Sequence, residues 1–268
     1  MAVPALAHGC GALVLNKTST STLASIQYAF GRALMQLRCK PAAMALLGDL
    51  GWEPLISTFE KRQVDYFVYL KNNNHNGLLK KVFNDMLACH QRGDQLRWKY
   101  MSNIHDVVKR KGLDDVIYRD DTDWLPTFRK IFKAELKSEF LNNIGNHTSL
   151  NYYAKVKTNV SRENYTKNAC DFYLTTLKFR ARTGCFMLQT DYERWGKSNG
   201  ICKLCNLKVK DDLYHRILIC PRFQEYRVHF YNELEKNVPC ESDILHDYFS
   251  LTISDQLDWL LGDYVFTA

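Results

Sequence analysis

The 268-residue sequence lacks the signatures by which many enzymes declare themselves. It has no phosphate-cradling glycine loop, no Gly-x-Ser-x-Gly elbow and no His-Glu-x-x-His helix, so nothing in it composes a nucleotide-binding, serine-hydrolase or zinc-protease site of those kinds. Long apolar runs are missing too. Residues 1–16 are uncharged and mostly apolar, but they are too few to span a bilayer and carry no basic lead of a signal peptide. Nine cysteines, an odd number scattered along the chain, do not form a secreted disulfide framework; they suit a reducing compartment, nuclear or cytoplasmic. Asn-x-Ser/Thr triplets begin at Asn16, Asn146, Asn159 and Asn164, as chance produces in an Asn-rich chain. No repeat or low-complexity tract is present. A membrane and a small-molecule substrate are not among the expected partners.

What the chain does have is 46% apolar residues, enough for a full core, and one segment that demands particular chemistry. Cys202 and Cys205 are separated by two residues, nine residues follow, and His215 and Cys220 complete a set of four. A tight turn can aim the first two thiolates at one ion while a short helix returns the other two ligands, the pattern of a zinc site. Asp211 and Asp212 are suitable helix caps ahead of Leu213, and Pro221 disfavours helical geometry at Cys220, so the helix should stop at the last ligand. Three thiolates and a neutral imidazole give Zn²⁺ a formal charge of −1, which Lys203, Lys208, Lys210 and Arg216 can offset. All four positions are filled by protein, so the expected single zinc is structural, with no vacancy for water or substrate.

The net charge of +7 is concentrated around this cluster: residues 153–210 hold twelve Lys and Arg against four acids. Beyond Cys240 there is no Lys or Arg at all. Aromatic residues interleave with the basic ones, which points to a nucleic-acid surface that meets phosphates with Arg180, Arg182, Arg194, Lys197, Lys203, Lys208 and Lys210 and stacks bases on Trp195.

The remaining pattern predicts a mainly α fold. Ser21 is placed to cap a helix with Leu23, Ile26, Phe30, Ala33, Leu34 and Leu37 on one face. Pro41 opens a short helix closed by Gly51; further helices are expected over 57–70, 77–90, from a cap at Asp94 through Trp98 to Gly112, and around Phe128 to Phe140. Polar, Asn-rich sequence after Gly145 suggests a boundary between a helical domain at 1–148 and a basic region at 149–268, with the knuckle at 200–222. A basic helix at 162–179 and helices at 222–234 and 251–261 complete the expectation.

The runs at 178–188, Glu193-Arg-Trp, the Cys/Cys/His/Cys set, Cys220-Pro-Arg-Phe and Arg227 resemble the C-terminal zinc-knuckle region of reverse transcriptases from LINE-type (non-LTR) retrotransposons. Val3-Pro-Ala-Leu with Gly9, then Ile26-Gln27 and Phe30, and the run Leu46-Leu-Gly-Asp-Leu-Gly-Trp-Glu-Pro-Leu are similar to the thumb segment that follows the palm of such enzymes. The likeness is strongest over 179–227 and weakest over 70–150, and the nine-residue gap before His215 is slightly long for the family. It implies a multi-helix thumb-like domain followed by the knuckle, a palm upstream of Met1, and RNA or single-stranded nucleic acid as partner.

Tyr118-Arg-Asp-Asp imitates a polymerase's paired aspartates, yet it lies downstream of the thumb-like residues and no apolar strand follows it. A capping loop accounts for it better. The 48 residues after Cys220 offer no lysine beyond Lys236 for a carboxylate-based nuclease. The chain therefore reads as non-catalytic nucleic-acid binding, with a zinc-stabilised protein adaptor, or the tail of a longer RNA-directed DNA polymerase, as alternatives.

Overall fold

A computed structural model describes residues 9–73, 77–94, 99–167, 172–237 and 248–262. The fold is mainly α, as the periodicity predicts, and among the described residues the only extended pairing is an antiparallel bridge between Ile201 and Lys210. The helices are α1 (Lys17–Leu34), α2 (Ala43–Leu50), α3 (Leu55–Asn72), α4 (Gly77–Gln91), α5 (Lys99–Lys109), α6 (Leu125–Gly145), α7 (Asn151–Val156), α8 (Asn164–Lys167), α9 (Phe172–Arg182), α10 (Gln189–Arg194), α11 (Gln224–Asn237) and α12 (Ile253–Leu261). No helix among the described residues is long and apolar enough to cross a membrane.

Contacts group the chain into two units, Met1–Phe30 with Glu53–Glu139, and Gly31–Trp52 with Phe140–Ala268. The polarity change near 148 does not coincide with the division, which falls inside α6. The reason is local: Phe140 and Ile144 pack with Ala45, Leu150 and Tyr153 of the second unit.

In the first unit, Val64, Phe67, Phe83, Met101, Ile104, Val108 and Phe128 form the core, so α3 packs against α4 and α5 through faces spaced at three and four residues. The start of α1 differs from the expectation. The Ser19 amide donates to Asn16 Oδ1 at 2.7 Å, which makes Asn16 the cap and leaves Ser21 inside the helix. Ile26 and Phe30, expected on the buried face, are exposed, and Gln27 is buried instead. Its amide bridges the start of α3, donating to the Glu53 carbonyl at 2.9 Å and accepting from the Leu55 amide at 3.0 Å. Two backbone groups that a proline-led helix start would leave unpaired are thereby satisfied. The cap expected at Asp94 depends on residues 95–98, Trp98 included, which lie outside the described residues.

In the second unit, α2 ends as predicted at Gly51, whose φ of +65° is the left-handed conformation that glycine adopts freely. A β-carbon there would also meet the Arg162 amide nitrogen at 2.4 Å. Of the helix expected over 162–179 the described parts are α8 and the start of α9; Glu163 precedes α8 and its amide donates to the Asp49 carbonyl at 3.0 Å. Residues 168–171 lie outside the described set. Leu257 and Leu261 of α12 pack with Ala181, Leu188 and Leu213, and α12 lies on α7, α9 and the turn that carries His215. That packing gives the knuckle a helical floor.

Candidate metal centre

Gly200 sets the knuckle's entry. Its φ is +74°, and an added β-carbon would stand 2.3 Å from Glu193 Oε2, so the chain passes close over the end of α10 only because no side chain intervenes. From there the Cys202 amide donates to the Val209 carbonyl at 2.9 Å and the Asp211 amide to the Gly200 carbonyl at 2.8 Å. These bonds close a small antiparallel loop with Cys202 and Cys205 near its turn. The Leu204 amide donates to Cys202 Sγ at 3.4 Å, which fixes the direction in which that sulfur points.

The return ligands depend on an unusual helix. Asp212 Oδ1 accepts from the His215 amide at 2.7 Å and caps the turn, while residues His215–Ile219 are wound as a π-helix. Five residues of α-helix would place Cys220 roughly 140° around the axis from His215. The wider turn, closed by the Cys220 amide on the His215 carbonyl at 2.7 Å, brings both ligands to one side. Cys220 leaves the helix with ψ of 121°, as a residue preceding proline should. Arg227 then covers the exit, donating to the Ile217 and Cys220 carbonyls at 3.3 and 2.9 Å.

One donor atom from each of Cys202, Cys205, His215 and Cys220 lies within 4.8 Å of all the others, so the cluster can hold a metal ion. His215 Nε2 stands 3.4 Å from Cys205 Sγ, close to the roughly 3.5 Å expected between a nitrogen and a sulfur ligand of one tetrahedral ion. His215 Nδ1 is buried with no hydrogen-bond partner among the described residues. Burial pushes the Cys220 thiol up, and Cys205 and Cys202 beside it add to that shift against one backbone N–H from Arg222. Three thiolates packed this closely beside a neutral imidazole would need a cation to remain ionised together.

Of the residues expected to balance the ligands, Arg216 is the one that interacts with Cys202 and Cys220. Asp211 is fully buried and accepts from Arg216 Nε and Nη2, at 3.0 and 2.6 Å, as well as from the Gln189 amide at 3.0 Å. Burial opposes charge on Arg216, but Asp211 outweighs it, and Cys202 and Cys220 pull in the same direction. Arg216 thus links the thiols to the start of α10. Asp211 is not the helix cap that its position predicts; it ties α10 to the knuckle through Gln189 and Thr190, a tertiary contact that no local pattern contains.

The residues expected to meet nucleic acid divide into three groups. Lys197, Lys203 and Lys208 are exposed and form no ion pair among the described residues, and Trp195 is 53% exposed beside Tyr192. Lys210 pairs with Glu193 at 3.4 Å, Arg194 pairs with Asp191, and Arg180 is half-buried, donating to the Cys185 carbonyl at 3.1 Å. Arg182 is a correction: it is wholly buried between Glu163 and Asp49, at 2.6 and 3.6 Å, and presents nothing to a phosphate. Lys157 and Tyr153 complete that cluster, Tyr153 donating to Asp49 at 3.0 Å. Asp120 and Asp121 lie in the exposed loop before α6, not on a strand hairpin.

Comparison with protein-family models, curated proteins and solved structures finds no match.

Proposed function

We propose that the chain is a non-catalytic nucleic-acid-binding protein whose basic surface is organised by one structural zinc ion, with single-stranded RNA as the favoured ligand. The observation that carries this reading is that Lys203 and Lys208 are exposed on the loop built by Cys202 and Cys205, next to α10 with Trp195 and Lys197 at its end. Lysines displayed by a metal-stabilised loop meet phosphates without reordering, and an exposed indole offers a face to an unpaired base. Cys202, Cys205, His215 and Cys220 would hold the ion, which when bound supplies folding energy to the 200–222 segment. The resemblance to LINE-type reverse transcriptases supports RNA over other polyanions, and makes the tail of a longer polymerase a related reading.

The adaptor alternative rests on one observation of its own. An apolar cavity of about 530 Å³ is lined by Phe186, Ile217, Leu218, Phe223, Tyr226 and Phe230, at the exit of the knuckle. The deciding experiment is RNA retention by the zinc-loaded protein after charge reversal at Lys203 and Lys208. Loss of retention with an unchanged circular dichroism spectrum supports the nucleic-acid reading; full retention overturns it in favour of the adaptor.

A further inference from the structure

Seven cysteines are described, and outside the metal cluster two of them meet across a long sequence separation. Cys39 lies in the segment between α1 and α2, Cys185 in the loop that follows α9, and both are unpaired and half-buried. The Cys185 thiol hydrogen-bonds to the Cys39 sulfur. Each backbone is held by an arginine of a neighbouring helix: Arg32 Nε donates to the Cys39 carbonyl at 3.0 Å, and Arg180 Nε to the Cys185 carbonyl at 3.1 Å. The Cys185 amide in turn donates to the Arg180 carbonyl at 2.9 Å. Thr176 of α9 donates to the Met35 carbonyl at 3.1 Å, a second tie between the same two segments. The thiols are therefore held in register by backbone anchors on both sides, and partial exposure leaves them open to a small oxidant.

We propose that Cys39 and Cys185 form a redox-reactive thiol pair that a peroxide closes into a disulfide. The Cys39 sulfur loses its proton and attacks one peroxide oxygen; the O–O bond breaks, the leaving hydroxide takes up that proton as water, and Cys39 becomes a sulfenic acid. Cys185 then attacks that sulfur, the S–O bond breaks, and the Cys185 proton leaves with the second hydroxide as water. In sum, two thiols and one hydrogen peroxide give one disulfide and two waters. Burial first, then the neighbouring Cys39 sulfur, pushes the Cys185 thiol up to about 11, which suits the protonated, resolving partner better than the attacking one. Closure would replace the hydrogen bond between the two sulfurs by an S–S bond of about 2.05 Å. The cross-link would fasten α9, and the loop leading from it toward α10, to the chain ahead of α2. This site is separate from the zinc ligands and does not depend on what the protein binds.

The test is peptide mapping of the full-length, zinc-loaded protein after treatment with hydrogen peroxide and blocking of free thiols by N-ethylmaleimide. The expected result is a peptide pair joined through Cys39 and Cys185, lost on reduction by dithiothreitol, as the main oxidised species. In Cys185→Ser the cross-link should vanish and Cys39 should become trappable by dimedone, a sulfenic-acid reagent. If wild-type Cys39 and Cys185 both remain fully alkylated, or join other cysteines instead, the proposal is overturned. Wild-type mapping decides the matter even if a serine variant folds poorly.

Discussion

The Arg182 guanidinium donates to the Glu163 carboxylate at 2.6 Å, with both side chains buried. Asp49, Lys157, Tyr153 and Tyr165 surround the pair, so two acids and two bases share a buried site at the junction of α2, α7, α8 and α9. Removing one member leaves an uncompensated charge in a low-dielectric interior. Arg182→Met should lower unfolding free energy by about 3–5 kcal/mol. Urea denaturation of the zinc-loaded protein measures this, and a change under 1 kcal/mol would show the cluster to be solvated.

The same cluster predicts a pH dependence. Burial opposes charge on Glu163, but Arg182 and Lys157 outweigh it and hold the carboxyl below its ordinary value of 4.5. A depressed folded value means that the pair's stabilisation is present above the unfolded value and is lost as pH falls through the folded one. Asp49 is shifted the other way: burial raises it, so protonation in acid relieves part of its cost. Glu163→Gln removes the first effect and keeps the burial that raises Asp49, though not the part contributed by the Glu163 charge. The gap in melting temperature between wild type and Glu163→Gln should be widest at neutral pH and narrow below about pH 4. A gap that widens in acid would contradict this assignment.

Elemental analysis of the purified protein should find one zinc per chain, and His215→Ala should lose it. Amides over 200–222 should then exchange with deuterium far faster, because metal ligation supplies the folding energy of so small a loop. Zinc-free protein with these amides still protected would refute a structural role.

Affinity for single-stranded RNA should fall with salt. Lys203→Ala with Lys208→Ala should reduce the slope of log K against log salt by about 1.4, two phosphate contacts' worth. Trp195→Ala should cost about 1–3 kcal/mol with the slope unchanged if a base stacks on the indole. Titrations at several salt concentrations separate the two terms. A slope unmoved by loss of both lysines would place the phosphates elsewhere.

Gln27→Leu should destabilise the first unit by about 1–3 kcal/mol although it adds an apolar group to a buried position, because the Leu55 amide and the Glu53 carbonyl lose their partner. Thermal unfolding followed by circular dichroism checks this; an increase in melting temperature would mean that water takes over both bonds.

The chain's local patterns were enough for the mainly helical fold and for the four Cys and His side chains that it gathers into one cluster. Cys202, Cys205, His215 and Cys220 are legible because metal chemistry confines its ligands to short, regular spacings, and Gly51 and Pro221 because backbone geometry at those residues depends on the residue itself. Arg182, Asp211 and Gln27 were not legible. In sequence each is a polar residue on a presumed surface or cap, and nothing local distinguishes an arginine that greets solvent from one that neutralises two buried carboxylates. Only the folded chain brings Asp49 and Glu163 to Arg182, Arg216 to Asp211, and Cys39 to Cys185. Such partners lie far apart in sequence, and a polar side chain's burial is settled by who arrives to pair with it rather than by its own chemistry.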